Sequence, residues 1–255
     1  MAQRGALVTG VSRRAGIGYA VSQRLGEAGT SVFLQGWAAH DAAQPWGADA
    51  AALDALAAGL TGVAGHAEID LADPPAPALC VEAALAACGR VDVLVANHAA
   101  SVGGTLEELT AEAIDHALAV NVRATLLLVQ AFAAAHDGRP GGRVILLTSG
   151  QHRGPMPSEL PYIAGKGALH QLTRSLADHL APRGITVNTV NPGPTDTGWA
   201  TPEVEAEVQK LMPSGRWGQP DDAARLIAWL ASEDAAWVTA QVIDSDGGFR
   251  YSGGG

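Results

Sequence analysis

The sequence predicts an α/β fold: a doubly wound, seven-stranded parallel sheet with helices on both faces, in three layers. Three observations carry that expectation. Short apolar runs, each the length of one buried strand, alternate with segments whose apolar residues recur at helical spacing. A glycine-rich turn, residues 10–18 (GVSRRAGIG), links the first such strand to the first such helix. Hydrophobic residues make up 47% of the chain and charged ones 16%, which is enough apolar surface for a sheet buried on both faces. No repeat and no linker composition divides the 255 residues, so 1–255 is read as one domain.

Charge and composition exclude several functions. A net charge of −10 with a pI near 5.1 argues against nucleic acid or an anionic membrane as partner. No 18-residue apolar stretch, signal peptide or transit peptide is recognised, which points to the cytoplasm. Cys80 and Cys88 match no metal spacing and read as reduced, inert thiols, and no metal site is expected.

The first strand, residues 5–9, runs into the glycine turn, and the next helix carries Ile17, Ala20, Val21, Leu25 and Ala28 at helical spacing. Glycines at such a turn let the backbone approach a pyrophosphate, which then sits at the positive end of the helix. Gly10, Ser12, Gly16, Ile17 and Gly18 are therefore cofactor-binding candidates, placed as the Rossmann dinucleotide fingerprint requires. The second strand, 31–35, ends at Gly36 and Trp37 with no acid to hold a ribose 2′-hydroxyl; Asp41 lies several residues on. Arg13 and Arg14 stand in the phosphate turn, where a guanidinium could meet a 2′-phosphate, so NADP(H) is preferred and NAD(H) is the alternative. A solvated loop is the other reading of these arginines. Trp37 either stacks on the adenine or covers the loop.

Residues 36–50 make a longer connection than a βα unit needs, either a lid over the adenosine or an irregular surface loop. A helix over 50–60 leads to a third strand near 62–69, and Asp70 and Leu71 follow where an adenine would lie. The PPAP run at 74–77 turns into the helix that holds the cysteines. Strand four spans 91–99, and Asn97 at its end lines the cofactor crevice. His98 is either catalytic or a packed, hydrogen-bonded histidine.

A long helix over 110–136 presents Ile114, Leu118, Val122, Leu126 and Val129 on one face. Asn121 inside it is disfavoured by propensity, so its amide has either a structural bond or a task beside the lysine, binding a carbonyl and a water. The strand at 144–147 delivers Thr148 and Ser149. Tyr162 and Lys166 then project from one face of the helix over 161–181.

A free tyrosine, with a pKa near ~10, is a poor base at neutral pH. An ammonium within ~4–6 Å favours the phenolate, so this pair can exchange a proton with a carbinol oxygen held by the serine hydroxyl.

Strand six, 185–190, delivers NPGPTDT, where Pro192 and Gly193 expose backbone toward a nicotinamide and Thr195 and Thr197 face its carboxamide or the pyrophosphate. Residues 198–215 form a polar flap, helical at best. A last helix at 220–231, a seventh strand at 241–244 and a DGG turn follow; the closing SGGG reads as disordered.

With these pieces in order, the chain resembles the short-chain dehydrogenase/reductase family over essentially its whole length. The resemblance rests on TG…GIG (9–18), Asp70, Asn97, Asn121, Ser149, Tyr162, Lys166, the PG at 192–193 and the DGG at 246–248. It implies a catalytic tetrad of Asn121, Ser149, Tyr162 and Lys166, with Tyr162 as acid/base, Ser149 orienting the carbonyl, Lys166 lowering the tyrosine pKa and holding the ribose, and Asn121 anchoring a relay water. Tyr162 and Lys166 thereby also belong to the cofactor site. It further implies reduction of a ketone or oxidation of a secondary alcohol, most like a 3-oxoacyl-ACP reductase, in a homotetramer packed through the two long helices.

Three departures stand out. Five residues separate Gly10 from Gly16 where the family usually has three, as in its enoyl-ACP reductase branch. Those enzymes place tyrosine seven residues before lysine, where this chain has Glu159. ANHA stands at 96–99 in place of NNAG, and Ala240 at a position usually Gly, where it is expected to be tolerated. A non-catalytic dinucleotide sensor on the same fold typically lacks part of the tetrad, whereas all four positions are present here.

Overall fold

Alternate residues of each central strand enter different cores. In β1 (Gly5–Thr9), Ala6 and Val8 face one way and Leu7 the other; β4 (Val93–Ala96) divides into Val93 and Val95 against Leu94 and Ala96. The computed structural model describes residues 3–49 and 52–251. All seven strands pair in parallel, in the order β3-β2-β1-β4-β5-β6-β7. The other strands are β2 (Ser31–Gly36), β3 (Val63–Glu68), β5 (Gly142–Leu147), β6 (Ile185–Asn191) and β7 (Val242–Asp244).

On one face α1 (Ile17–Glu27), α3 (Leu53–Ala58) and α9 (Pro220–Ala231) supply Val21, Leu25, Leu56, Ile227 and Leu230. On the other, α4 (Ala76–Cys88), α6 (Thr125–Ala135) and α7 (Leu160–Leu180) supply Val81, Leu128, Phe132, Ala177 and Leu180. Each such buried Val, Leu, Ile or Phe side chain stabilises the fold by roughly 1.5–3 kcal/mol. The chain builds outward from β1 through β2 to β3, then returns to lay β4 on the other side of β1. That reversal opens a crevice above the C-terminal ends of β1 and β4, the usual ligand position in such sheets.

Opposite the crevice, Asp92 is 2% exposed. Burial alone would push its carboxyl up, but Arg90, the Gly5 N–H and Arg139 more than offset that and hold it below the usual carboxylate range.

The structure corrects several expected boundaries. Strand four is only Val93–Ala96, because Asn97 and His98 leave the ladder to donate their backbone N–H groups to the Thr9 hydroxyl. The helix expected over 110–136 is three pieces: α5 (Ala111–Leu118), a π-helical stretch Ala119–Ala124 that contains Asn121, and α6. The 36–50 connection holds a short helix, α2 (Ala38–Ala42), and the flap holds α8 (Pro202–Leu211), capped by the Thr201 hydroxyl. The start of the helix expected over 50–60 and the closing SGGG lie outside the described residues; within them that helix is α3.

The expectation that no stretch is long and apolar enough to span a membrane also needs correction, since Ala111–Ala135 passes on length and composition. Its inner face is the core surface against β4 and α4, which is why it is so apolar.

Candidate active site

The glycine turn is shaped by contacts that exclude side chains. Gly10 has φ +72°, and a Cβ there would come 2.8 Å from His98 Cα. A Cβ on Gly18 would come 2.7 Å from the Gly10 carbonyl oxygen. Asn97 Nδ2 donates to the carbonyls of Thr9 (3.0 Å) and Gly10 (3.1 Å), so its amide clamps the turn between β1 and β4. Gly16 caps α1 without any side-chain bond, and no acid stands in the first turn. The first N–H groups of α1, with Ile17 leading, therefore remain open to an anion beside bare glycine backbone. This cradle fits a dinucleotide pyrophosphate.

The adenosine side differs from expectation. Arg13 does not stand free for a phosphate: it pairs with Asp41 (3.2 Å), donates to the Thr197 carbonyl (2.8 Å) and lies over the Trp46 ring (5.5 Å). Trp46 Nε1 also donates to Asp41, so the described part of this connection, 36–49, folds onto the turn. Arg14 keeps an exposed side chain, and its backbone N–H donates to Asp49. Ser12 Oγ accepts from the Trp37 N–H, and Trp37 itself is half-buried at the start of α2. Asp70 turns its carboxylate to the Ala72 N–H, and Leu71 is buried.

At the ends of β5 and β6 the chemical groups converge. Ser149, extended at the end of β5, precedes a 3₁₀ turn (Gly150–His152), and its hydroxyl bonds the phenol of Tyr162. Lys166 is 2% exposed; its Nζ donates to the Leu147 carbonyl (2.9 Å) and lies 5.7 Å from the Tyr162 ring centre. The Lys166 carbonyl in turn accepts from Thr148 (2.9 Å).

Burial pushes the Tyr162 phenol up to about 12; the Ser149 bond opposes this and the Glu159 charge adds to it. Burial draws the Lys166 ammonium down to about 8. In the protein alone burial dominates and the phenol stands above its ordinary value, while the Lys166 ammonium bonds Leu147 and not the phenol. A protonated phenol at neutral pH is a proton donor.

Asn121 is fully buried, and both ends of its amide bond the Ala100 backbone: Oδ1 accepts from the N–H (2.8 Å) and Nδ2 donates to the carbonyl (3.0 Å). These bonds fix the Ala100 loop, the structural role among the two readings of Asn121, and one of them is to a backbone carbonyl. A Cβ on Gly165 would come 2.8 Å from Asn121 Cβ, so α7 meets the π-helical stretch through bare backbone.

His98 is the residue the sequence left open. Its Nε2 lies 3.1 Å from the Val120 carbonyl, which can only accept, so the ring hydrogen is on Nε2. Nδ1 then accepts from the Thr9 hydroxyl at 2.7 Å. Burial, aided by the nearby Lys166 charge, pushes its pKa down to about 3, which keeps the ring neutral. His98 therefore ties β1 to the stretch that carries Asn121, an external donor at a π-helical turn.

Beyond β6, Gly193 has φ +64°, and a Cβ there would strike Asp246 Cβ at 2.4 Å, so the turn after Pro192 rests on the late DGG turn. Thr195 is buried with its hydroxyl on the carbonyls of Pro192 (3.3 Å) and Gly193 (3.2 Å), a bond within its own loop; Thr197 offers its carbonyl to Arg13.

A family profile described as enoyl-(acyl carrier protein) reductase matches residues 10–250. The uncharacterized oxidoreductase YjdA of Bacillus subtilis is 42% identical over 249 residues, covering 96% of each chain. A short-chain dehydrogenase/reductase from Serratia marcescens superposes with a TM-score of 0.85 at 34% identity, covering 98% of this chain and 99% of that one. The angucycline C-6 ketoreductase LanV, solved with bound NADP, gives a TM-score of 0.84 at 34% identity, covering 98% and 96%.

Proposed function

The chain belongs to the short-chain dehydrogenase/reductase family of oxidoreductases, and we propose that it transfers a hydride between NADP(H) and a ketone or secondary alcohol. The observation that carries this reading is the Ser149–Tyr162 hydrogen bond beside buried Lys166, across the crevice from the open N-terminus of α1. When bound, the nicotinamide supplies the hydride or accepts it. Ser149 holds the carbonyl oxygen, and Tyr162 donates the proton that completes the alcohol. Lys166 places a positive charge under the phenol, and the π-helical stretch at Asn121 fixes the wall behind it.

For the cofactor, Gly10, Gly16, Ile17 and Gly18 would hold the pyrophosphate. Arg14 is the guanidinium best placed for a 2′-phosphate, since Arg13 is engaged by Asp41. Similar proteins solved with NADP bound support NADP(H) as a cofactor.

The C-terminal segment 216–248 (RWGQPDDAARLIAWLASEDAAWVTAQVIDSDGG) resembles the final helix, strand and turn of 3-oxoacyl-ACP reductases, which favours a 3-oxoacyl thioester as substrate class. The enoyl thioester alternative rests on the five-residue spacing in the glycine turn and on the description of the matching profile. Glu159 at the position of the enoyl-reductase tyrosine weighs against it. Oxidation of NADPH and of NADH, assayed with acetoacetyl thioester, crotonyl thioester and a panel of ketones and sugars, tests the assignment. Activity with acetoacetyl thioester or a ketone and NADPH is expected; activity with crotonyl thioester alone would overturn it.

We read the assembly as a homotetramer in the cytoplasm. The outer faces of α6 and α7, which flank a cavity of about 470 Å³ lined by Leu126, Leu176, His179 and Arg183, support the first reading. The unpaired thiols, with Cys80 pushed up to about 12 by burial, support the second.

A further inference from the structure

Past β7 the chain folds back over the site. Gly247 and Gly248 both have positive φ, and Phe249 and Tyr251 stack edge to face, 4.7 Å between centroids. The Tyr251 ring lies on the backbone of the loop that follows Ser149. A Cβ on Gly150 would come 2.0 Å from Tyr251 Cε1, and one on Gly154 would come 2.7 Å from Tyr251 Cβ. Neither glycine has a positive φ, so neither is required by its own backbone conformation. What requires them is room for Tyr251: its ring at Gly150, its Cβ and backbone at Gly154.

The Tyr251 hydroxyl is anchored as well. It accepts from Asn191 Nδ2 (2.9 Å) and bonds the Asp246 carboxylate. Asn191, fully buried at the end of β6, gives its other amide hydrogen to Asp244 (2.8 Å) and accepts from the Gly193 N–H (3.1 Å). His152, in the Ser149 loop, also reaches Asp244 (3.1 Å). On the opposite side the Arg250 N–H donates to the carbonyl of Leu211, the last residue of α8 (3.2 Å).

We propose that Tyr251 is a positioning residue for the substrate side of the site. Wedged between the Ser149 loop and Asn191, it holds Ser149 in register with the turn at Pro192 and Gly193, and it ties the α8 flap to both. The inference rests on the reading of Ser149 as the group that orients the carbonyl. Removing the ring leaves the Gly150 backbone without its packing partner and a buried Asn191 N–H without an acceptor. Among the described residues the strap's hydrogen bonds run to Asn191, Asp246 and Leu211 and not to β1 or α1, so the pyrophosphate side of the cofactor site, and with it most of the cofactor affinity, should be spared.

The test compares Tyr251→Ala, Tyr251→Phe, Gly150→Ala and the double variant Gly150→Ala/Tyr251→Ala in the full chain. The readouts are steady-state kinetics with the best carbonyl substrate of the panel, NADPH affinity, and amide hydrogen exchange over residues 149–158. Tyr251→Ala should raise KM by about tenfold or more, leave NADPH affinity within about twofold and accelerate exchange in the loop. Tyr251→Phe, which keeps the ring, should stay within about threefold of the parent KM. Gly150→Ala should reproduce the Tyr251→Ala defect by expelling the ring, and the double variant should be no worse than either single one.

Unchanged KM and unchanged exchange in Tyr251→Ala would overturn the proposal. So would full additivity of the Gly150 and Tyr251 effects. If the parent protein reduces no carbonyl compound, the functional reading falls, and the exchange data still decide whether Tyr251 holds the loop.

Discussion

The ammonium nitrogen of Lys166 donates to the Leu147 carbonyl at 2.9 Å while standing 5.7 Å from the centre of the Tyr162 ring. The lysine is thus held as a buried cation under the phenol and does not bond it. That arrangement has a price in stability. With burial drawing the ammonium from its ordinary 10.5 down to about 8, the unfolded chain binds the proton more tightly than the native one. Below pH 8 both states are protonated and the penalty is complete, on the order of 3 kcal/mol. Between pH 8 and 10.5 stability should rise with pH as the native amine deprotonates first. Lys166→Met should abolish that rise and increase the thermal midpoint at pH 7 while removing turnover. A lower midpoint with the rise intact would show the charge to be well solvated.

The Glu159 carboxylate, half-buried at the start of α7, pushes the Tyr162 phenol further up. Glu159→Gln removes that charge and should lower the phenol pKa. In the alcohol-oxidising direction the rate rises with pH as the phenolate forms, so this limb of the profile should move to lower pH. A limb that stays in place or moves upward would show that Glu159 does not act on the phenol.

His98 links acid stability to the site. Its native pKa of about 3 lies below the ordinary 6.5, so its bonds to Thr9 and Val120 contribute fully above pH 6.5. That contribution is lost as pH falls toward 3 and the unfolded chain takes up a proton the native ring refuses. His98→Gln retains a donor for Val120 but does not titrate. Denaturant unfolding between pH 6 and 4 should show a slope shallower by about 1.4 kcal/mol per pH unit in the variant. Parallel slopes would mean that the ring is protonated in place.

Ala240 adopts φ +61°, the left-handed region that glycine occupies without strain, with its N–H on the Val187 carbonyl (2.8 Å). The usual glycine at this position therefore has a backbone reason, and alanine is accommodated at a cost. Ala240→Gly should stabilise the protein by about 0.5–1 kcal/mol, the relieved strain less the extra unfolded-chain entropy. A destabilised variant would show that the methyl group's packing outweighs the strain.

The features legible in the sequence are those with short-range signals. Short apolar runs and the 3.6-residue period locate all seven strands and the long helices, and the Tyr162–Lys166 spacing forecasts one helical face. The π-helical stretch at Asn121 is not legible, because Ile114, Leu118 and Val122 continue the helical period through it. The engagement of Arg13 by Asp41 and Thr197 is also hidden: its partners lie far along the chain, and a guanidinium in a phosphate turn looks available from sequence alone. Nothing near Gly150 or Gly154 in the sequence shows that a Cβ on either would collide with Tyr251, about a hundred residues away. Contacts that close across the fold leave only the small residue as a trace.

The most direct test of the central claim, that Tyr162 exchanges the proton with the carbonyl oxygen, is single-turnover oxidation of bound NADPH by a ketone in Tyr162→Phe against the parent. The phenyl ring keeps the packing and loses only the hydroxyl that meets Ser149. NADPH affinity should remain within about threefold, and the single-turnover rate should fall by about 10²–10⁴-fold, the usual worth of a positioned acid. A variant that binds NADPH normally and oxidises it at the parent rate would contradict the account.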